Sequence, residues 1–168
     1  MSMAAQRYSD LIVWQLADTF KKTVFGLVQG STAVRGQFKF IDQIHSAAGG
    51  ATKHVAEGFL RFNPREMCRF LDYAVSSVGE TEEWMRDGID RGFFTPNDCE
   101  PAFRLARRLS RGILGLKAAQ RRYIERMKKR PTDPGAKGAA RKNPTPPTEA
   151  NQHPPKNNGE PPKKVGGE

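Results

Sequence analysis

Eight cations crowd the stretch from 104 to 126: Arg104, Arg107, Arg108, Arg111, Lys117, Arg121, Arg122 and Arg126. At helical spacing they lie mostly opposite an apolar stripe of Ala102, Leu105, Leu109, Ile113, Leu116, Tyr123 and Met127. Seven of the eight are arginines, whose planar guanidinium forks onto phosphate oxygens. Such contacts hold a protein on a nucleic acid without reading its sequence. The competing reading is an ordinary solvated helix face. Residues 100–129 carry 10 Lys+Arg against 2 Asp+Glu, so a salt-bridge ladder within the helix cannot neutralise the row. Carboxylates from other helices or another subunit could. A membrane-surface role is disfavoured, because the apolar face is used up in a core.

The net charge of +10 is concentrated in this region. Residues 1–99 carry 11 basic against 12 acidic side chains, a net of −1. Residues 100–129 contribute +8, and residues 130–168, with 7 against 4, contribute +3. A basic surface of this kind attracts polyanions: nucleic acid, acidic proteins or anionic lipid.

Other chemistries are weakly represented. A di-iron bundle needs a Glu on each of two helices and Glu-x-x-His on the other two. This chain has Asp42-x-x-His45 and His54-x-x-Glu57, both on the second predicted helix, and its third histidine, His153, lies near the C-terminus. His45 and His54 are nine residues apart, half a turn out of phase, so they point in opposite directions. No metal or cofactor is expected. Ser76, Ser77, Cys68 and Cys99 have no nucleophile motif around them, and Gly49-Gly50 lacks the strand–turn–helix setting of a phosphate loop. The cysteines fit no metal or redox spacing; a reduced cytoplasmic chain fits best, although a bridge between them stays open. Glu57 and Arg61 form an i,i+4 pair, read first as a local ion pair and second as a bridge between helices or subunits.

Four amphipathic elements position these residues. Helix one follows Ser9 or Asp10 as N-cap, with Val13, Ala17, Phe20, Val24 and Leu27 on one face and Trp14, Leu16 and Phe25 beside it. A loop follows from Gly30 to Gly36. Helix two spans about 37–60, with Ile41, Ile44, Ala48, Ala51, Val55 and Phe59 inward. Its Gly49-Gly50 suggests close approach by a neighbour, a kink, or simple tolerance. Asn63-Pro64-Arg65-Glu66 starts helix three: an N-cap, proline at the first position and a capping-box carboxylate. Met67, Leu71, Ala74, Val78, Thr81 and Met85 form its stripe, with Glu82–Arg86 and Asp87–Arg91 as surface pairs. Gly92 is a natural C-cap, and Phe93-Phe94 a plug for the bundle end. Thr95-Pro96-Asn97-Asp98 repeats the start signal for helix four, which ends near Lys129 before Pro131. Four such helices with short connections predict an all-α, antiparallel up-and-down four-helix bundle over residues 8–129.

Either side of it the chain reads as disordered, over 1–7 and 130–168. The latter segment holds nine of the twelve prolines and no Leu, Ile, Met, Phe, Tyr or Trp. No apolar run approaches the ~18 residues of a membrane span, and the N-terminus lacks the apolar stretch of a secretory signal.

The residues also carry a family resemblance. Asp10-Leu11, Val13-Trp14-Gln15, Ala17, Asp42-Gln43, Ala56-Glu57-Gly58 with Arg61, Arg69-Phe70-Leu71, Ala74, Ser77 and Glu80 occur in the order seen in the bacterial four-helix proteins encoded in intervening sequences of 23S ribosomal RNA genes. The chain resembles that family over about 8–92, and the accessory protein of diversity-generating retroelements looks like a relative. His54-Val55 stands where the family has Asn-Ile, Leu60-Arg61 where it has Gly-Arg, and Gly49-Gly50 where it often has proline. The resemblance implies a structural motif of Trp14, Glu57, Gly58, Arg61, Phe70 and Leu71, no catalytic residues, and a homopentamer. For the retroelement relative it implies binding of nucleic acid and of a reverse transcriptase. The expectation is a non-enzymatic, cytoplasmic, oligomeric bundle binding RNA or DNA through helix four. The runner-up is a protein–protein adaptor docking an acidic partner, and a metal bundle comes third.

Overall fold

The computed structural model describes residues 5–129, in which four α-helices account for most of the residues and no strand occurs. The expectations for residues 1–4 and for the tail 130–168 lie outside the described residues. A short 3-10 turn, Tyr8–Asp10, leads into α1 (Ile12–Gly30), α2 (Phe38–Leu60), α3 (Pro64–Asp90) and α4 (Pro96–Lys128).

Two of the helix starts follow the sequence signals. The Asn63 side-chain oxygen accepts from the backbone N–H of Arg65 at 2.9 Å and of Glu66 at 3.4 Å. Thr95 and Asp98 form a reciprocal capping box: the Thr95 hydroxyl accepts from Asp98 N–H at 3.2 Å, and Asp98 Oδ2 accepts from Thr95 N–H at 3.0 Å. Each cap satisfies donors that a helix N-terminus otherwise leaves unpaired. Two expectations need correction. Glu66 does not reach back to Asn63 but pairs with Arg69 at 2.9 Å. Asp10 does not cap α1, whose N-cap is Leu11; its carboxylate instead accepts from Gln6 N–H at 3.0 Å and Arg7 N–H at 2.8 Å, fastening the 3-10 turn.

Two contacts between helices join the start of one to the later part of the next. Phe40 at the start of α2 stacks edge-on against Trp84 near the end of α3. Cys68 early in α3 donates to the carbonyl of Lys117 late in α4 at 3.8 Å. Leu16 and Val13, at the start of α1, lie beside Gly112 of α4. Each helix packs on two neighbours, α1 on α2 and α4, and α3 on α2 and α4, while the backbones of diagonal helices stay apart among the described residues. The core inside this square takes Phe20 and Val24 from α1, Ile44 and Val55 from α2, Leu71 and Met85 from α3, and Leu109 and Ile113 from α4, all fully buried. Each such side chain contributes about 1.5–3 kcal/mol by leaving water.

The predicted α3 stripe is buried throughout. In α1 and α2 the rest of each stripe is buried as well, and only its ends slip: Val28 is buried where Leu27 was expected, Phe40 where Ile41 was, and Gly58 where Phe59 was. The displaced residues are half-buried, because each sits at the edge of a face shared by two neighbours. A second correction concerns Arg86, which pairs with Glu83 at 2.6 Å rather than with Glu82. Of the glycine pair, Gly50 meets close approach, since a Cβ there would lie 2.5 Å from Ser77 Oγ; Gly49 faces open space.

Helix α4 is the longest at 33 residues, roughly 50 Å, against 19 residues for α1. Its last buried residue is Ile113. Tyr123 and Met127 keep the inward register but are 50% and 44% exposed, correcting their assignment to the core. The helix overruns the bundle, so their faces have little to cover them.

Candidate nucleic-acid interface

Six of the eight predicted cations share one side of α4. With about 100° between successive residues, Arg104, Arg107, Arg108, Arg111, Arg122 and Arg126 point away from the direction of Ala102, Leu109 and Ile113. All six are exposed. Gly115 and Ala118 continue the same side between Arg111 and Arg122, leaving low ground in the middle of the row. From Arg104 to Arg126 the row spans roughly 33 Å. Arg121 lies on its flank and is exposed. Lys117 is set apart: it turns toward α3 and pairs with Asp72, with its side chain only 15% exposed. That pair ties α4 to α3 across the outer rim of the core.

Carboxylates neutralise only the start of the row. Glu100 accepts from Arg107 at 3.1 Å and lies 3.7 Å from Arg104. Glu125 pairs with Lys128 at 2.6 Å, which holds its carboxyl below the usual range. Among the described residues no carboxylate lies within 4 Å of Arg108, Arg111, Arg121, Arg122 or Arg126. Five guanidinium groups on one helix therefore face water without a counter-charge. On α3 most arginines are held: Arg69, Arg86 and the C-cap Arg91 each meet a carboxylate at 2.9 Å or less.

The α2–α3 turn adds to the basic ground near the C-terminal part of α4. Arg65 is close enough to Glu125 to help lower its pKa. Arg61, the α2 C-cap, does not pair with Glu57 as expected; its guanidinium lies 5.5 Å from the centre of the Phe70 ring, as does that of Arg69. Glu57 instead approaches His54 Nδ1 at 3.4 Å. Gly58 lets α3 close in at this point, because a Cβ there would stand 2.9 Å from the Cβ of Phe70. So Gly58, Arg61 and Phe70 form one packed corner, Leu71 is buried in the core, and Trp14 sits at the α1 start against Tyr8, ring centres 5.4 Å apart.

Phe62, which the sequence reading passed over, stands in this region. Its φ of +51° is the left-handed conformation usually taken by glycine, and its side chain is 85% exposed. Its position just after the helix end, between Arg61 and Asn63-Pro64, was the available signal.

The remaining reactive groups are spread out. His45 stacks on Phe25 at 4.2 Å, toward α1, and burial lowers its pKa; His54 faces Phe70 and Tyr73 on α3. Both cysteines are free thiols, and burial pushes Cys99 up to about 11. No group of three or more potential metal ligands converges among the described residues. No described helix is long and apolar enough to cross a membrane.

A family model described as 23S rRNA-intervening sequence protein matches residues 9–115, which takes in all of α1 to α3 and α4 as far as Gly115. No curated protein and no solved structure gives a significant match.

Proposed function

The chain belongs to the 23S rRNA-intervening sequence protein family, and from that premise we propose that it is a non-enzymatic, oligomeric bundle that holds RNA or DNA by its phosphates, through the outer side of α4, without reading sequence. The observation that carries this reading is the set of five arginines without a carboxylate partner, among the described residues, along one helix. Over ~33 Å a nucleic-acid strand presents about ten phosphates, so the row has the length to engage several at once. Arg104 and Arg107 share Glu100 and contribute less charge to the field.

Binding by five arginines predicts that log K falls against log salt with a slope of about −4.5 on duplex, and that scrambling the sequence leaves affinity unchanged. Replacing Arg108, Arg111, Arg122 and Arg126 by Gln should flatten the slope by about 3–4. No binding at low salt, or a slope near zero, overturns the reading.

In the oligomer the rows of several subunits add to one field. A pentamer of 18.8 kDa subunits has five times that mass, 94 kDa, and light scattering reads it directly. The finer form of the proposal places the protein in the cytoplasm beside a reverse transcriptase, tested by co-purification of the two chains. An adaptor for an acidic protein would also weaken with salt, but would show no affinity for duplex of arbitrary sequence.

A further inference from the structure

Resting on that reading, we propose that the bundle end carrying Phe62 and Tyr123 takes the unpaired bases of a single-stranded stretch of the same nucleic acid. Phe62 is the starting observation: its ring lies 6.4 Å from that of Phe59, a contact that leaves it exposed. A left-handed φ of +51° disfavours every residue with a Cβ, and a bulky aromatic more than most. Burial does not compensate, since the residue is 85% exposed. Glycine would serve the turn better, as Gly92 does at φ +72° after α3. A strained, exposed aromatic held at a helix end is the kind of feature that persists at binding sites.

Its surroundings combine apolar side chains, among them Phe59, Leu116 and the exposed Leu60, with nearby cations. Phe62 borders one side of the Asn63-Pro64 turn; Tyr123, half exposed, borders the other. Arg61 and Arg65 flank the turn on the α2 and α3 sides, and Arg122 and Arg126 flank Tyr123 on α4. Aromatic rings interleaved with arginines form a stacking platform on which any base can lie while its phosphates meet guanidinium groups. Duplex bases are already stacked on each other and cannot use it. The α4 row would thus hold the backbone, and the end of the bundle would hold the flipped-out or terminal bases.

The test uses the full-length protein and three labelled probes of equal length: a mixed-sequence single strand, the same strand made abasic, and a blunt duplex. Phe62→Gly keeps a residue suited to the left-handed turn, and Tyr123→Ala removes the second ring at an exposed site. Each substitution should weaken single-strand binding by about five- to a hundred-fold, while abasic and duplex affinities stay within about twofold. Equal affinity of wild type and both variants for the single strand overturns the proposal. So does an equal loss on all three probes, which would mark a change in the field or fold. A drop in oligomer mass by light scattering in either variant would make the patch a subunit interface and overturn it as well. If wild-type protein binds the duplex with the expected salt slope and the variants behave as wild type, the phosphate reading survives and the stacking site alone falls. Wild-type protein that binds no probe overturns both.

Discussion

Helices α2 and α3 end alike and lead to opposite results. Each has an arginine C-cap in helical conformation, Arg61 at φ −73°, ψ −14° and Arg91 at φ −82°, ψ −3°. Each is followed by a residue with positive φ, and then by a capped, proline-started helix. After Arg91 the left-handed residue is Gly92, and the next two residues turn inward. Phe93 N–H donates to Gly88 O at 2.8 Å, Phe94 is buried, and the Phe40 ring lies 5.1 Å from Phe93 and 6.0 Å from Phe94. The Ser31 hydroxyl closes the seal by donating to Phe93 O at 2.6 Å. After Arg61 the left-handed residue is Phe62 itself, exposed beside the exposed Leu60. The difference lies in length. Three residues separate Arg91 from its next cap, Thr95, whereas one separates Arg61 from Asn63. A one-residue link cannot fold an aromatic back over the core, so the plug made by one turn has no counterpart in the other.

The largest expected effect breaks this symmetry outright. Phe94→Ala should cost about 3–5 kcal/mol in urea unfolding, as for a large aromatic removed from a core. Phe62→Ala should change stability by no more than ~0.5 kcal/mol, as at an ordinary surface site. A loss of several kcal/mol for Phe62→Ala would mean that the second end is sealed too, and the contrast would be gone.

How much of this was legible in the sequence follows the same division. The α3 stripe, the Thr95–Asp98 box, the Gly92 turn and the Phe93-Phe94 plug are local signals with one physical outcome each, and they could be read in advance. Most of the α1 and α2 stripes could be read as well; only their end positions, Leu27, Ile41 and Phe59, slipped by a residue, because what covers a helix end is a tertiary fact. Tyr123 and Met127 continue the apolar period of α4; only the length of the other three helices reveals that they are covered by half. The arginine row was visible as a pattern. That Lys117 turns to Asp72, and that Glu100 takes both Arg104 and Arg107, depends on contacts across helices or two turns of one.

The two left-handed positions give the next sharpening, with opposite signs. Gly92→Ala should destabilise by about 1–2 kcal/mol, because a Cβ is introduced at φ +72°. Phe62→Gly should stabilise by about 0.5–1 kcal/mol, the relief of strain exceeding the extra freedom gained by the unfolded chain. Paired urea titrations measure both. Destabilisation by Phe62→Gly would show that the ring holds the turn together and is not simply exposed by it.

The smallest effect separates the two caps by their response to acid. Asn63→Ala and Thr95→Ala should each cost about 1 kcal/mol at neutral pH, each removing an acceptor from a helix N-terminus. The caps differ in what backs them. Asn63 is a neutral amide, whereas the Thr95 hydroxyl donates to Asp98 Oδ2 at 2.6 Å and Thr95 N–H donates to the same oxygen. Those bonds favour the carboxylate and hold the Asp98 pKa below its ordinary value of 3.8. A carboxyl with a lowered folded pKa contributes stability that is complete above the unfolded value and is lost as pH falls through the folded one. The cost of Thr95→Ala should therefore shrink as pH drops from 5 toward 2, while the cost of Asn63→Ala stays level. Asp98→Asn should remove the acid dependence of the Thr95 variant's cost and leave that of the Asn63 variant untouched. Parallel acid dependence in both caps would mean that a carboxylate outside the Thr95 box governs helix starts at both ends of the bundle.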